Sequence, residues 1–86
     1  MRTIHPKPNL LMTEVEGEAV LLDLESSYYF SLNETGTHIW RAIEKGKTED
    51  EIIASILVEW DVEREEATRT VREFFDDLIR EGLVTT

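Results

Sequence analysis

The apolar positions of this chain change period part-way along it. From Leu10 to Leu32 they largely alternate with polar ones, the repeat of two that suits strands with one covered face. From Ile39 onward they recur at three and four, the repeat of amphipathic helices. The alternating part predicts strands over Leu10–Glu16, Ala19–Leu24 and Tyr28–Leu32, with turns at Glu16-Gly17-Glu18 and Glu25-Ser26-Ser27. Val20, Leu22 and Leu24 share a face of the second strand. Tyr28, Phe30 and Leu32 share one of the third, with Tyr29 and Ser31 opposite. Turns this short give a three-stranded antiparallel meander whose first and third strands are edges.

The helical part is punctuated by caps. Asn33 is a suitable N-cap, because its short side chain accepts from the free amides of a first turn. The helix it opens carries Ile39, Trp40 and Ile43 on one face and stops at Gly46. Thr48-Glu49-Asp50-Glu51 spells a capping box, followed by Ile52, Ile53, Ile56, Leu57 and Trp60 at helical spacing. A third helix begins near Glu63, with Val62 and Ala67 placed as a hydrophobic staple. It ends at Gly82, with Leu83 set to pack on Leu78. Residues 1–9, with Pro6 and Pro8, read as an extended and poorly ordered lead-in. The fold class is α+β, winged helix-turn-helix-like: a three-stranded antiparallel meander followed by three helices, one domain over 1–86.

The third helix has an asymmetric outline. At 100° per residue, Ala67, Val71, Phe74 and Leu78 form its central stripe. Thr68, Arg72, Phe75 and Ile79 lie on one flank, and Thr70, Glu73, Asp77 and Glu81 on the other. The width that Phe75 and Ile79 add either borders an apolar groove or packs as ordinary core against a neighbouring helix.

Composition narrows the functions available. At 86 residues, only about 60–65% of the unfolded surface is buried on folding, so any site lies on the surface of one modest core. Cysteine is absent, which removes disulfides, thiolate metal sites and thiol nucleophiles together. The N-terminus lacks the long apolar region of a secretory signal, and no apolar run reaches membrane-span length; the expected location is cytoplasmic. Nineteen acidic against nine basic residues give a net charge of −10. Much of that is explained by solubility, yet it opposes nucleic acid and anionic membranes as partners.

No catalytic or metal constellation is legible. His5 and His38 are the only histidines and have no partner at ligand spacing. Glu63, Glu65 and Glu66 suit a helix N-terminus, and Ser26, Ser27, Ser31 and Ser55 lack a nucleophile-elbow context. Neither enzyme activity nor a cofactor is expected. A winged-helix transcriptional regulator is the alternative of a different class. Its recognition helix would open with Glu63-Arg64-Glu65-Glu66, a poor start for approaching phosphates.

Several segments in order carry a resemblance. They are Leu21–Leu24 (LLDL), Tyr29–Asn33 (YFSLN), the Ile39-Trp40 pair, the Thr48–Ile52 helix start, and Arg80-Glu81-Gly82-Leu83-Val84. Together they resemble the PqqD-like family, small domains that bind the leader peptides of ribosomally made natural products. The resemblance implies a non-catalytic adaptor whose partners are a precursor leader peptide and a leader peptidase or other modifying enzyme. The short chain and its Leu-Asn-Glu-Thr-Gly helix start look most like the lasso-peptide version, which hands the leader to a separate cysteine protease while a cyclase closes the ring. A peptide chaperone for a radical SAM enzyme in pyrroloquinoline-quinone biosynthesis is the alternative. In such proteins the leader adds as an antiparallel strand to the third strand and lies against the third helix. Mapped here, the receiving edge is Tyr28, Tyr29, Phe30 and Ser31, and the facing wall is Arg72, Phe75, Asp76 and Ile79. Tyr29 and Arg72 have plain alternatives as an exposed strand tyrosine and a solvated helix residue. Which amides of the third strand point outward is open at this level, since ladder bonds alternate along a strand.

Overall fold

The computed structural model describes residues 2–86. Three strands, β2 (Leu10–Val15), β3 (Glu18–Asp23) and β4 (Tyr29–Leu32), form an antiparallel meander in the order β2-β3-β4. Three helices follow: α1 (Glu34–Glu44), α2 (Glu49–Glu59) and α3 (Arg64–Arg80). The register pairs Leu11 with Leu22 and Leu22 with Tyr29, while Val20 faces Thr13 on one side and Ser31 on the other. Val20, Leu22 and Leu24 do share a face, but it is the outer one. Ala19, Leu21 and Asp23 are buried beneath the sheet instead.

The helix boundaries come from local chemistry. Asn33 Oδ1 accepts from the Gly36 amide at 2.8 Å. Thr48 and Glu51 cap each other reciprocally, with Thr48 N–H donating to Glu51 Oε1 at 2.8 Å and Glu51 N–H to Thr48 Oγ1 at 3.2 Å. At the end of α3, Gly82 takes φ +73° while its amide donates to the Ile79 carbonyl and that of Leu83 to the Leu78 carbonyl. That is a Schellman closure, and the left-handed residue within it suits glycine. Ile39, Trp40, Ile43, Ile52, Ile53, Ile56, Ala67, Val71 and Leu78 are all buried in one core with Leu21 and Leu32.

The N-terminal segment departs from expectation. Ile4 is buried, and β1 (His5–Pro6) pairs antiparallel with β5 (Val84–Thr85) in a second, two-stranded sheet. Arg2 Nε bonds Glu49 Oε2 at 2.9 Å, and its guanidinium lies 5.2 Å from the centre of the Phe75 ring. Residues 2–7 are therefore held against the fold rather than forming a loose lead-in, and residue 1 lies outside the described residues. The partners of Arg2, His5 and Pro6 lie more than forty residues away, beyond the reach of any local pattern. Lys7 Nζ also reaches Asp23 Oδ2 at 2.9 Å, and this bond, with the Glu25 amide, holds the Asp23 carboxyl down at about 2.

Candidate functional site

The open side of β4 is defined by its hydrogen bonding. The Asp23 amide donates to the Tyr28 carbonyl at 2.8 Å, which makes 23 and 28 a hydrogen-bonded pair. Alternation then turns the backbone groups of Phe30 and Leu32 toward β3, opposite Leu21 and Ala19, and those of Tyr29 and Ser31 away from it. The Leu24 amide bonds the Asn9 carbonyl at 3.0 Å, so β3 directs its even-numbered residues to β2, as this phase requires. Tyr29 and Ser31 thus offer two N–H and two C=O groups along an edge where no strand pairs among the described residues. Both side chains are exposed, Tyr29 to 66%.

One flank of α3 stands beside that edge. Tyr28 Oη donates to Glu81 Oε1 at 2.8 Å, a bond that raises the tyrosine pKa and ties the start of β4 to the end of α3. At the other end, Gly36 lets the first turn of α1 approach α3. A Cβ there would lie 3.5 Å from Phe74 Cε1 and 3.3 Å from Asn33 Oδ1. The flank facing β4 is therefore the one carrying Phe74, Asp77 and Glu81. Directly after β4, Asn33, Thr35 and Gly36 line a cavity of about 370 Å³ between α1, α2 and α3.

The structure divides the eight residues proposed from sequence. Tyr29 and Ser31 lie on the open edge. Tyr28 and Phe30 are their neighbours, but their backbone is directed at β3, and Phe30 packs partly into the core. The helix residues lie elsewhere. Phe75 is wholly buried beneath Arg2, so it supports the core and is not presented to a ligand. Arg72 Nε pairs with Glu49 Oε1 at 3.4 Å and Asp76 Oδ1 with Arg2 at 3.2 Å, on the side of α3 turned toward the N-terminal segment. Ile79, 38% exposed, shares that flank by helical spacing. The buried stripe is Ala67, Val71, Phe75 and Leu78, with half-buried Phe74 at its margin, so the true stripe is rotated from the one expected. The flank turned toward β4 carries Phe74, Thr70, Asp77 and Glu81 instead, none of them among those eight. The bond from Tyr28 to Glu81 and the small residue at Gly36 identify their side only once the chain is folded.

His38 and Ser55 are engaged with each other and with the backbone. His38 Nε2 lies 2.8 Å from Ser55 Oγ, and Ser55 Oγ donates its proton to the Ile52 carbonyl at 2.7 Å. The histidine must therefore be the donor in that pair, the reverse of a base activating a nucleophile. No group of three or more His, Asp or Glu side chains among the described residues could hold a metal ion. No helix among them is long and apolar enough to cross a membrane.

Residues 18–84 match the family described as Coenzyme PQQ synthesis protein D. The chain belongs to the PqqD family. Among solved structures, this PqqD-family chain is similar to TbiB1 in complex with the TbiA(beta) leader peptide. The two are 31% identical over 93% of each chain, with a TM-score of 0.87. It also shares the fold of a lasso peptide synthetase B1 complexed with the leader peptide, at 24% identity and a TM-score of 0.89, over 99% of this chain and 100% of that one. No protein of curated function matches it. PqqD-like leader-binding proteins are generally non-catalytic adaptors.

Proposed function

We propose that this chain captures the leader segment of a ribosomally made precursor peptide and presents it to the enzymes that mature the peptide. It is itself non-catalytic. The leader adds antiparallel to β4, bonding the outward groups of Tyr29 and Ser31, and its side chains on the inner face meet Phe74, Thr70 and Asp77 of α3. The observation that carries this reading is the open β4 edge set beside a half-apolar helix flank, in a chain 31% identical to TbiB1, which was solved with a leader peptide. Backbone pairing supplies affinity with little dependence on sequence, and the helix-side contacts supply selection.

The pathway we favour is that of a lasso peptide, with a leader peptidase and cyclase as the recipients. The family's own description keeps service beside a radical SAM enzyme in pyrroloquinoline-quinone synthesis as the second reading. A regulator that binds DNA is disfavoured by the run Glu63-Arg64-Glu65-Glu66 at the start of α3 and by the net charge of −10. The test is amide exchange measured with and without the cognate leader. Exchange at Tyr29 and Ser31 should slow on binding, while Phe30, already bonded inward, should change little. Leader binding with unaltered exchange at residues 29 and 31 places the site elsewhere. Mass spectrometry of the precursor incubated with this chain alone should show no change in mass, and cleavage would overturn the non-catalytic reading.

A further inference from the structure

The cavity just beyond the end of β4 has an apolar floor and a rim of one sign. Ile39, Ile56, Trp60 and Phe74 line its interior. Glu66, Glu73 and Asp77 supply all the charge on its lining, with no Lys, Arg or His among the described residues there. Asp77 is paired with Arg80, three residues on, whereas Glu66 and Glu73 have no ion-pair partner among the described residues. The other arginines of α3, Arg64, Arg69 and Arg72, lie off this cavity, in a separate concavity that Glu65, Glu73 and Asp76 also line. Both signs meet in that second concavity, whereas the charge on the first cavity's lining is negative throughout.

We infer that the leader accepted by this chain carries an apolar anchor flanked by Lys or Arg, immediately upstream of the segment that pairs with β4. This rests on the strand-addition reading and names the chemistry and order of the ligand for it. The order follows from polarity. β4 runs from Tyr29 toward Leu32, and Asn33 and Gly36, which come directly after, line the cavity. An antiparallel partner therefore crosses the cavity first and reaches Tyr29 last. A cavity of about 370 Å³ has room for one large aliphatic or aromatic side chain. Lysine and arginine suit its rim because their stems lie along apolar surface such as Phe74 while the charged head reaches a carboxylate. An acidic flank in the leader would meet the like charges of Glu66 and Glu73, which have no ion-pair partner among the described residues to offset the repulsion.

The experiment uses a random peptide library displayed on its encoding RNA, panned on the wild-type protein and on Glu66→Gln/Glu73→Gln. Both positions are exposed, so the double variant keeps the fold, which circular dichroism checks. On the wild type, Lys or Arg beside an apolar residue should be enriched about 3–10-fold over library frequency, upstream of an extended segment. On the double variant that bias should fall toward library frequency. A peptide selected on the wild type should bind the variant about 3–10-fold more weakly at ~20 mM salt, with the difference shrinking at ~500 mM. Selected peptides that slow exchange at Tyr29 and Ser31 but carry neutral or acidic flanks overturn the charge inference and leave strand addition standing. An unchanged cationic bias on the double variant also overturns it. Peptides that leave exchange at Tyr29 and Ser31 unaltered, or a selection that yields none, remove strand addition and this inference with it.

Discussion

The Ser31→Pro substitution separates backbone recognition from everything else at the site. The Ser31 amide points away from β3, so proline removes a donor that no strand of the fold uses. Phe30, before it, is already extended, as the residue preceding a proline must be. Stability should therefore change by no more than about 1 kcal/mol, which reflects only the tighter φ that proline imposes on an edge strand. Binding should suffer more. A leader carbonyl loses its partner and is left poorly hydrated in the groove, at a cost of about 1–3 kcal/mol, or roughly 5–150-fold in Kd. Ser31→Ala is the control, since it keeps the amide and should bind like the wild type. Phe30→Pro is the converse: it breaks the ladder to Leu21 and lifts a partly buried ring, so it should unfold at distinctly lower denaturant. Fluorescence anisotropy with labelled leader, alongside urea denaturation of each variant, reads both quantities. Well-folded Ser31→Pro that binds within about twofold of the wild type would falsify strand addition at β4.

Adjacent phenylalanines should behave as opposites. Phe75→Ala empties a fully buried site and should cost about 3–5 kcal/mol, a large part of the ~4–13 kcal/mol expected for 86 residues, so a collapse of the thermal transition is the readout. Phe74→Ala should cost less stability but weaken leader binding by about 1–2 kcal/mol; equal effects on both properties would contradict the assignment of Phe74 to the groove. Acid should release the Lys7–Asp23 bond: the folded carboxyl lies at about 2 against an ordinary 3.8, so its stabilisation is present above the ordinary value and is lost as pH falls through about 2. Lys7→Met should accordingly melt below the wild type near pH ~6, with the gap closing near pH ~2. A mobility shift at about 50 mM salt should show no complex with duplex DNA, and a submicromolar shift there would reopen the regulator reading.

Much of this molecule was legible before folding because the signals are local. Asn33 caps a helix through an amide three residues on, Thr48 and Glu51 answer each other across one turn, and Gly82 closes α3 with bonds to Ile79 and Leu78. Such contacts depend on residue type at fixed short spacing, so element type, order and approximate ends can be read from the chain. The meander and its β4 edge follow in the same way from a period of two and two short turns.

What needed the tertiary structure was every choice between two sides. Periodicity marks two flanks on α3 but does not say which one meets β4. Phe74 and Phe75 are both plausible for the core, and a difference of 100° decides between them. That rotation was decided by contacts across the fold: Arg2 against Phe75, Glu49 and Asp76 on one flank, and Tyr28 on Glu81 at the other. The apolar width of Phe75 and Ile79 left groove wall and ordinary core both open, because a wide apolar stripe records how much surface is covered and not by what; Phe75 is core. The N-terminal segment shows the same limit, since Ile4 is buried and His5–Pro6 pairs with Val84–Thr85 at the far end of the chain. Sequence spacing reports neighbours within a turn or a hairpin. Which distant surfaces meet is set by how the whole core closes.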